Sequence, residues 1–518
     1  ELNHIFVKDG EEVIDLTDYE NTRAKFLGFS VDGLSFYIAS NQRDARTLDI
    51  YKYSVDDYSK SMLYQNNEAY EVTAKSDGDR YFVLTNSVDN YSTQIVLYDQ
   101  ITDAELNITN NKVENSFLSF MGNTLLYSSN YDDNFNQLWS IDLTTNAEKK
   151  VYSAPWDIVG ANFYENTNTL HVFINEDAST KLVFLSAEDY TELSNEILPS
   201  EGLKGFSLSR AEDSYAFVYG SDTSPGDLFF SKTNFDESSL VASSFETLDE
   251  ANMVSSEVIR FESFDGLEIP SILYKPKGAS ASNPAPVMVY VHGGPGGQTR
   301  KGFNSQIQYM LHHGYGILGV NNRGSSGYGA EFYHLDDKRH GQEDLQDIIA
   351  SKEYLQSLSW VDDNKIGVMG GSYGGFMTLA ALTFYPDVFN VGIDIFGVSN
   401  WVRTLKSIPP WWESFKVALY DEMGDPATDE ERHRKISPLF HAQNITKPML
   451  VIQGSNDPRV LQIESDEIVN QVRANNVYVD YLVFPDEGHG FRKKVNRVKS
   501  ANSIVDFLDE CLKQNQCS

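Results

Sequence analysis

Residues 366–382 read IGVMGGSYGGFMTLAAL, and this stretch decides the fold of the second half of the chain. The apolar run before Gly370 predicts a strand and the run after Gly374 predicts a helix, so Ser372 stands at the tip of a sharp turn. Glycines suit this turn because the backbone at the serine is strained and neighbouring side chains would collide with strand and helix. The pattern is typical of a nucleophile elbow, and a glycine-rich turn without chemistry is the alternative.

A serine hydroxyl becomes a nucleophile only when a base removes its proton, and two later loops supply candidates. Asp457 follows one predicted buried strand, and His489 follows the next, between two glycines. Loops at the carboxyl ends of parallel strands meet at one edge of the sheet. We therefore predict Ser372, Asp457 and His489 as a catalytic triad in the chain order of α/β-hydrolases. Asp486 and Glu487 share the histidine's loop and are expected to cap the turn or face solvent.

Eight apolar runs in the second half predict eight strands. They lie near residues 256–262, 268–274, 286–291, 316–320, 366–369, 391–396, 449–453 and 478–484. Amphipathic stretches predict crossover helices at 301–313, 342–357, 461–475 and 496–514. Strands that alternate with helices favour an α/β-hydrolase domain over residues 256–518, with an eight-stranded, mostly parallel sheet.

An acyl-transfer serine also needs N–H donors for the oxyanion. The third predicted strand ends in HGGPGG at residues 292–297, where a glycine-rich turn lets backbone amides approach a ligand. We predict the N–H groups of Gly294 and Tyr373 as the oxyanion hole. The residues show no His, Cys and Asp pattern with metal-ligand spacing, so neither a metal nor another cofactor is predicted.

The first half is a repeat of short strand-like runs. The runs begin near Ile5, Leu48, Ile95, Leu138, Leu182 and Leu228, at intervals of 43 to 47 residues. This period favours an all-β propeller over residues 1–255, against a non-repeating β-sandwich. The first run falls late within a repeat, so the propeller is expected to be incomplete at its start. Either an interleaved strand closes the ring, or earlier blades are missing.

The composition limits the possible partners. The formal net charge is −34, and most of the acidic excess lies in the first half of the chain. Such a charge argues against binding nucleic acid or anionic membranes. No apolar run is long enough to span a membrane, which leaves cytoplasm and periplasm open. Cys511 and Cys517 are the two cysteines, and they could pair or stay reduced.

These features together resemble the prolyl oligopeptidase family of serine peptidases, closest to its acylaminoacyl-peptidase and bacterial oligopeptidase branch. The resemblance is dense from about residue 256 to 512 and only architectural in the propeller. The motifs that carry it are HGGP at 292–295, NRGSSGYG at 322–329, GGSYGG at 370–375, NDPRV at 456–460 and FPDEGHGF at 484–491.

The resemblance implies roles for particular residues. Ser372, Asp457 and His489 match the triad, and Gly294 and Tyr373 match the backbone oxyanion donors. Arg459 matches an arginine that holds a substrate carbonyl, with a surface salt bridge as the alternative. The residues that match the pocket for the side chain before the scissile bond are Val398, Trp401 and Val460, which fit ordinary core nearly as well. Arg323 is expected to brace the fold.

The resemblance implies hydrolysis of short peptides through an acyl-enzyme, as an acylaminoacyl-peptidase or oligopeptidase, with a homo-oligomer possible. His292 stands where other branches use a tyrosine hydroxyl, which favours this branch. A dipeptidyl aminopeptidase of the same family is an alternative, although Glu11-Glu12 lacks the aromatic context of that branch's glutamate motif. A carboxylesterase would share the triad and is the second alternative.

Overall fold

The computed structural model describes residues 2–109, 112–194, 202–209, 211–232, 238–244 and 249–517, apart from the side chains of residues 413 and 414. The chain forms two compact units. The first comprises Glu1–Glu165, Leu170–Val172 and Ile408–Gly424. The second comprises Asn166–Thr169, Phe173–Ser407 and Asp425–Ser518, and it contains all of the eight-stranded sheet.

The first half of the chain is a β-propeller with five four-stranded blades. The first blade contains β3 (Ala24–Phe29), β4 (Ser35–Ser40), β5 (Asp49–Ser54) and β6 (Lys60–Tyr64), and the second contains β7 (Glu71–Lys75), β8 (Tyr81–Ser87), β9 (Thr93–Asp99) and β10 (Ala104–Asn107). The third blade contains β11 (Asn115–Met121), β12 (Thr124–Ser129), β13 (Gln137–Asp142) and β14 (Glu148–Tyr152), and the fourth contains β15 (Asp157–Tyr164), β16 (Thr169–Glu176), β17 (Ser179–Ser186) and β18 (Glu192–Leu193). The fifth blade contains β19 (Leu203–Leu208), β20 (Ser214–Tyr219), β21 (Asp227–Lys232) and β22 (Ser238–Ser243).

A two-stranded hairpin precedes these blades, formed by β1 (Phe6–Asp9) and β2 (Glu12–Asp15). The last five of the six repeated runs are the third strand of each blade, and the first run leads into β1. The hairpin therefore has the phase of a blade's third and fourth strands. Glu11 is exposed at its turn.

The second half is an α/β-hydrolase domain whose eight strands match the eight predicted runs. They are β23 (Glu257–Glu262), β24 (Glu268–Tyr274), β25 (Ala285–Val291), β26 (Gly316–Val320), β27 (Val361–Gly371), β28 (Gly392–Ile395), β29 (Met449–Gly454) and β30 (Val479–Phe484). They are ordered β23-β24-β26-β25-β27-β28-β29-β30. The β23–β24 and β24–β26 pairs are antiparallel and the other five are parallel, so the sheet is mostly parallel, as predicted.

Nine helices lie between and after these strands. They are α1 (Ser305–His312), α2 (Ala330–Tyr333), α3 (Glu343–Gln356), α4 (Tyr373–Phe384), α5 (Trp401–Lys406), α6 (Glu413–Met423), α7 (Glu430–Ile436), α8 (Gln462–Ala474) and α9 (Lys494–Leu508) among the described residues. α1, α3, α8 and α9 correspond to the four predicted crossover helices. No helix in the described part of the chain is both long and apolar enough to cross a membrane.

A π-helical turn at Asp509–Lys513 follows α9, and Cys511 in this turn forms a disulfide bond with Cys517. The change from four-stranded sheets to the eight-stranded sheet falls between Ser243 and Glu257. The domain boundary at residues 255–256 stays a prediction, because the compact units divide the chain at other positions.

Candidate active site

The elbow forms between the central strand β27 and helix α4. Ser372 has φ 58° and ψ −119°, a strained conformation for a residue with a side chain. Its amide donates to the carbonyl of Ile395 at 3.0 Å, and its carbonyl accepts from the Phe376 amide at 3.0 Å. The neighbouring strand and the first turn of the helix thus hold the serine at the tip.

The glycines on either side of the serine are required by space. A Cβ at Gly370 would lie 2.4 Å from the carbonyl oxygen of Gly374, and a Cβ at Gly374 would lie 2.1 Å from that of Val291. Contacts this short force backbone movement. The elbow therefore packs directly against the end of β25, where the predicted oxyanion turn begins.

The three predicted triad residues are brought together by the carboxyl ends of β27, β29 and β30. His489 Nε2 lies 3.0 Å from Ser372 Oγ, and His489 Nδ1 lies 2.7 Å from Asp457 Oδ2. The Asp457 side chain is fully buried, and that of His489 is 11% exposed. These hydrogen-bond distances connect a nucleophile to a base and the base to an orienting acid.

Backbone amides fix the carboxylate of Asp457. Its Oδ1 accepts from the amides of Arg459 at 2.9 Å and Val460 at 3.0 Å, which leaves Oδ2 for the histidine. Because both oxygens are engaged, the carboxylate is held in one orientation against His489.

The imidazole of His489 also has an aromatic neighbour that the sequence did not indicate. The ring of Phe396 lies 4.6 Å from it, centroid to centroid, and Phe491 lies 5.5 Å from Phe396. Phe396 follows β28 with φ 43°, and its amide donates to the carbonyl of Ile452 at 2.8 Å. A bulky residue in this region of φ is held there by its surroundings.

Glu487 closes the histidine's loop, as its expected capping role implies. Its carboxylate accepts from the amides of Arg492 at 3.0 Å and Lys493 at 2.9 Å, and from the Asn496 side chain at 2.9 Å. Asp486 lies at the surface and pairs with Lys493 at 2.5 Å. Neither acid competes with Asp457 for Nδ1 of the imidazole.

The predicted oxyanion turn lies beside the nucleophile. A Cβ at Gly293 would lie 3.5 Å from Cβ of Ser372. Gly294 has φ 146°, and Tyr373 is the first residue of α4, so its N–H lies at the positive end of that helix. His292 is buried with Nε2 2.8 Å from Ser325 Oγ, and burial lowers the pKa of this imidazole. The imidazole is therefore expected to be neutral.

The side chain of Tyr373 is anchored away from the serine. Its hydroxyl donates to Asp344 and lies 2.9 Å from His340 Nδ1. The ring lies 6.2 Å from that of Trp401. This buried network fixes the residue whose amide is a predicted oxyanion donor, and sequence reasoning missed His340 because no motif surrounds it.

The three predicted pocket residues Val398, Trp401 and Val460 are all buried, at 3–4% exposure. The loop between the first two is held by the carboxylate of Glu464 on α8. Glu464 Oε2 accepts from the amide of Asn400 at 2.7 Å, and from the amide and hydroxyl of Ser399 at 3.1 and 2.8 Å. The sequence carried a signal for this role, because Glu464 falls on the buried face of α8.

Two arginines singled out in the sequence have different settings. Arg323 is buried and bonds the carboxylates of Asp347 and Asp265 at 2.8–3.0 Å, so it links α3 to the β23–β24 turn. This contact agrees with its expected bracing role. Arg459 is exposed beside the triad acid, and its substrate contact stays a prediction.

Among the described residues of the first half of the chain, one group of side chains has the spacing of a metal site. Ligand atoms of His4, Asp15 and Asp18 lie within 4.8 Å of one another, an arrangement that partly exposed acidic groups often show without an ion. The prediction of a metal-free reaction stays a prediction.

Asp394 on β28 gives a pH-dependent prediction. It is fully buried, its Oδ1 accepts from the Gly397 amide at 2.9 Å, and its Oδ2 has no hydrogen-bond partner among the described residues. Burial raises the pKa of Asp394 from 3.8 to about 7. Between these two pKa values the carboxyl of Asp394 is ionised in the unfolded chain but still protonated in the folded protein. The contribution of Asp394 therefore lowers the free energy of unfolding as the pH rises.

We expect Asp394→Asn to remove this dependence. Relative to the natural protein, its free energy of unfolding should rise by about 2–3 kcal/mol between pH 5 and pH 8. Urea unfolding at both pH values measures this difference. Asp506→Asn, exposed on α9, is the control and should show no such change. Parallel curves for the natural protein and Asp394→Asn would contradict the prediction.

Comparison with known proteins finds similarity mainly in the second half of the chain. Residues 301–515 match the sequence profile described as the Prolyl oligopeptidase family. A dipeptidyl aminopeptidase BIII of Pseudoxanthomonas mexicana is 40% identical over 263 residues, which cover 49% of this chain and 38% of that protein. An acylamino-acid-releasing enzyme of Arabidopsis thaliana is 28% identical over 232 residues, covering 44% of this chain and 30% of that one. The matches thus span well under two-thirds of these relatives.

Solved structures show the same fold. A puromycin-hydrolysing peptidase of Mycobacterium tuberculosis superposes with a TM-score of 0.85 at 20% identity, over 97% of this chain and 81% of that one. At this identity the likeness concerns the fold alone. Through residues 301–515, the chain is therefore similar to the prolyl oligopeptidase family.

Proposed function

We propose that the chain is a serine peptidase that hydrolyses short peptides through an acyl-enzyme. The observation that carries this proposal is the unbroken set of hydrogen-bond distances from Ser372 Oγ through His489 to Asp457. A nucleophile, a base and an orienting acid in this order are the minimum that acyl transfer requires.

Each residue has a role in the proposed reaction. His489 Nε2 takes the proton from Ser372 Oγ as the oxygen attacks the substrate carbonyl. Asp457 keeps the imidazole in the required tautomer and stabilises its positive charge. The N–H groups of Gly294 and Tyr373 bind the developing oxyanion. His489 then gives the proton to the leaving amine, and water, activated by the same imidazole, releases the acyl group.

Two substrate classes fit the proposal. The first is blocked or longer peptides, as for an acylaminoacyl-peptidase or oligopeptidase, which the buried His292 in place of a tyrosine favours. The second is dipeptide release from a free amino terminus, favoured by the 40% identity to a dipeptidyl aminopeptidase against 28% to an acylamino-acid-releasing enzyme. Glu11, exposed in the β1–β2 hairpin, gives no particular support to the second class.

Substrate profiling separates these possibilities. N-acetylated peptides, free-amine dipeptidyl amides, internally quenched peptides and simple acyl esters would be compared by kcat/KM. The first proposal expects acetylated or internally quenched peptides to be preferred. Preference for free-amine dipeptidyl amides would support the dipeptidyl alternative. Cleavage of esters without cleavage of any amide would overturn the peptidase proposal in favour of a carboxylesterase.

Glu464 provides a test of the proposed substrate pocket. In Glu464→Gln a neutral amide oxygen accepts the three hydrogen bonds more weakly than the carboxylate, and the new NH₂ group faces the guanidinium of Arg403, so the loop between Val398 and Trp401 is held less firmly. We expect KM to rise about tenfold for peptides with a large apolar residue before the scissile bond. Peptides with glycine there should change little.

The control for this variant is Glu467→Gln on the same helix, where the carboxylate pairs with Arg403 near the surface. It should keep the natural preference. An equal loss on glycine and large apolar substrates in Glu464→Gln would contradict a role of this loop in specificity.

A further inference from the structure

A cavity of about 620 Å³ lies on the α1 and α9 face of the eight-stranded sheet. Its floor consists of apolar side chains from the central strands, and its walls come from the two helices. The residues that define it are Ile307, Met310, Ile317, Met369, Ile395 and Ala501. The volume is that of a typical small-molecule site, which is largely apolar with a few placed polar groups.

The mouth of the cavity carries two positive charges. Lys494 and Arg497 on α9 line it, and neither side chain makes a hydrogen bond or ion pair within the part of the chain that the structure describes. Lys493, the residue just before the helix, differs from them because it pairs with Asp486. In a chain of net charge −34, two unpaired cations beside an apolar cavity are a local exception.

The position of these cations on the helix is unfavourable without a ligand. Lys494 is the first residue of α9 and Arg497 the fourth, so both lie where the helix dipole is positive, and the first turn holds no acidic residue. An anion at the mouth would reduce this repulsion. The same anion could carry an apolar chain into the cavity.

We propose that this cavity binds a fatty carboxylate, with the acyl chain against the sheet and the carboxylate at Lys494 and Arg497. Apolar burial supplies the affinity and the two cations fix the orientation. The hydrogen bond from the Tyr309 hydroxyl to Asn502 at 2.9 Å joins the two helices beside the cavity and keeps its walls together.

The site lies next to the candidate catalytic residues and is distinct from them. Phe396 and Phe491 line one end of the cavity, and Phe396 is the ring that contacts His489. Gly371, which precedes the serine, also lines it. Binding at this site requires no hydrolysis, so it can be tested on a protein that lacks Ser372 Oγ.

The test is calorimetric titration of the full chain carrying Ser372→Ala with dodecanoate below its micellar concentration. We expect saturable binding of one molecule, and dodecanol should bind about tenfold more weakly because it lacks the charge. The double variant Lys494→Glu, Arg497→Glu should weaken dodecanoate binding by about tenfold or more. Lys499→Glu, on the same helix but outside the cavity lining, is the matched control and should bind normally.

A second variant tests whether the acyl chain of the ligand occupies the cavity. Ala501→Trp fills the cavity from a partly exposed helix position and should abolish binding without changing the melting temperature by more than a few degrees. Absence of saturable dodecanoate binding would overturn the proposal. Equal affinity for dodecanol, or unchanged binding in the double charge variant, would overturn it as well. If Ala501→Trp does not fold, the charge variants and dodecanol decide the result.

Discussion

Ser372→Ala is expected to reduce kcat for peptide hydrolysis by about a millionfold while the protein stays folded. The hydroxyl is the group that forms the acyl-enzyme, and its distance of 3.0 Å from His489 Nε2 allows the base to take its proton. Alanine keeps the backbone hydrogen bonds to Ile395 and Phe376, so the elbow is expected to keep its conformation. Steady-state kinetics and a thermal melt measure the two effects separately.

The control for this variant is Ser357→Ala, exposed at the end of α3. It should retain full activity. A fluorophosphonate probe should label the natural protein at Ser372 and leave the alanine variant unlabelled. Activity within tenfold of the natural protein in Ser372→Ala would show that another residue is the nucleophile and would remove the basis of the proposed function.

Asp457→Asn is expected to lower kcat by about ten thousandfold with little change in fold. The asparagine oxygen can keep accepting from the amides of Arg459 and Val460, which turns its NH₂ group toward His489. Nδ1 must then accept a hydrogen bond, so the proton moves to Nε2. An imidazole protonated at Nε2 cannot take the proton of Ser372. The loss should therefore appear in kcat more than in KM.

Asp486→Asn is the matched control, because this acid lies on the histidine's loop but pairs with Lys493 at the surface. It should change kcat by less than about threefold. A large loss in Asp486→Asn together with a mild effect of Asp457→Asn would reverse the assignment of the acid.

The eight strands and the three triad candidates could be predicted from the sequence because they depend on local patterns. Each of the eight strands falls on a stretch that was predicted from its apolar residues, and Ser372, Asp457 and His489 each follow such a stretch. The parallel arrangement then brings distant loops to one edge of the sheet. The spacing of 43 to 47 residues between the repeated runs likewise predicted the propeller blades, because each blade is a four-stranded sheet of about that length.

Other parts of the site could not be predicted because they depend on tertiary packing. Phe396 reaches His489 through a backbone conformation that a bulky residue rarely adopts, and no local pattern requires it. The contact of Tyr373 with His340 and Asp344 joins α4 to residues around the start of α3. The pocket loop depends on Glu464, which lies 65 residues after Ser399. Long-range polar contacts of this kind leave no periodic signal.

Neighbouring positions of the elbow are under selection for two different reasons, which are folding at the two glycines and the proposed hydrolysis at the serine. Gly370 and Gly374 have no room for a side chain, so a substitution at either affects the abundance of folded protein. Ser372 bears backbone strain at φ 58°, and glycine there would relieve it. A gene copy released from selection for hydrolysis would therefore lose its serine while its glycines persisted. Inactive descendants of this chain should be recognisable by an intact elbow without its nucleophile.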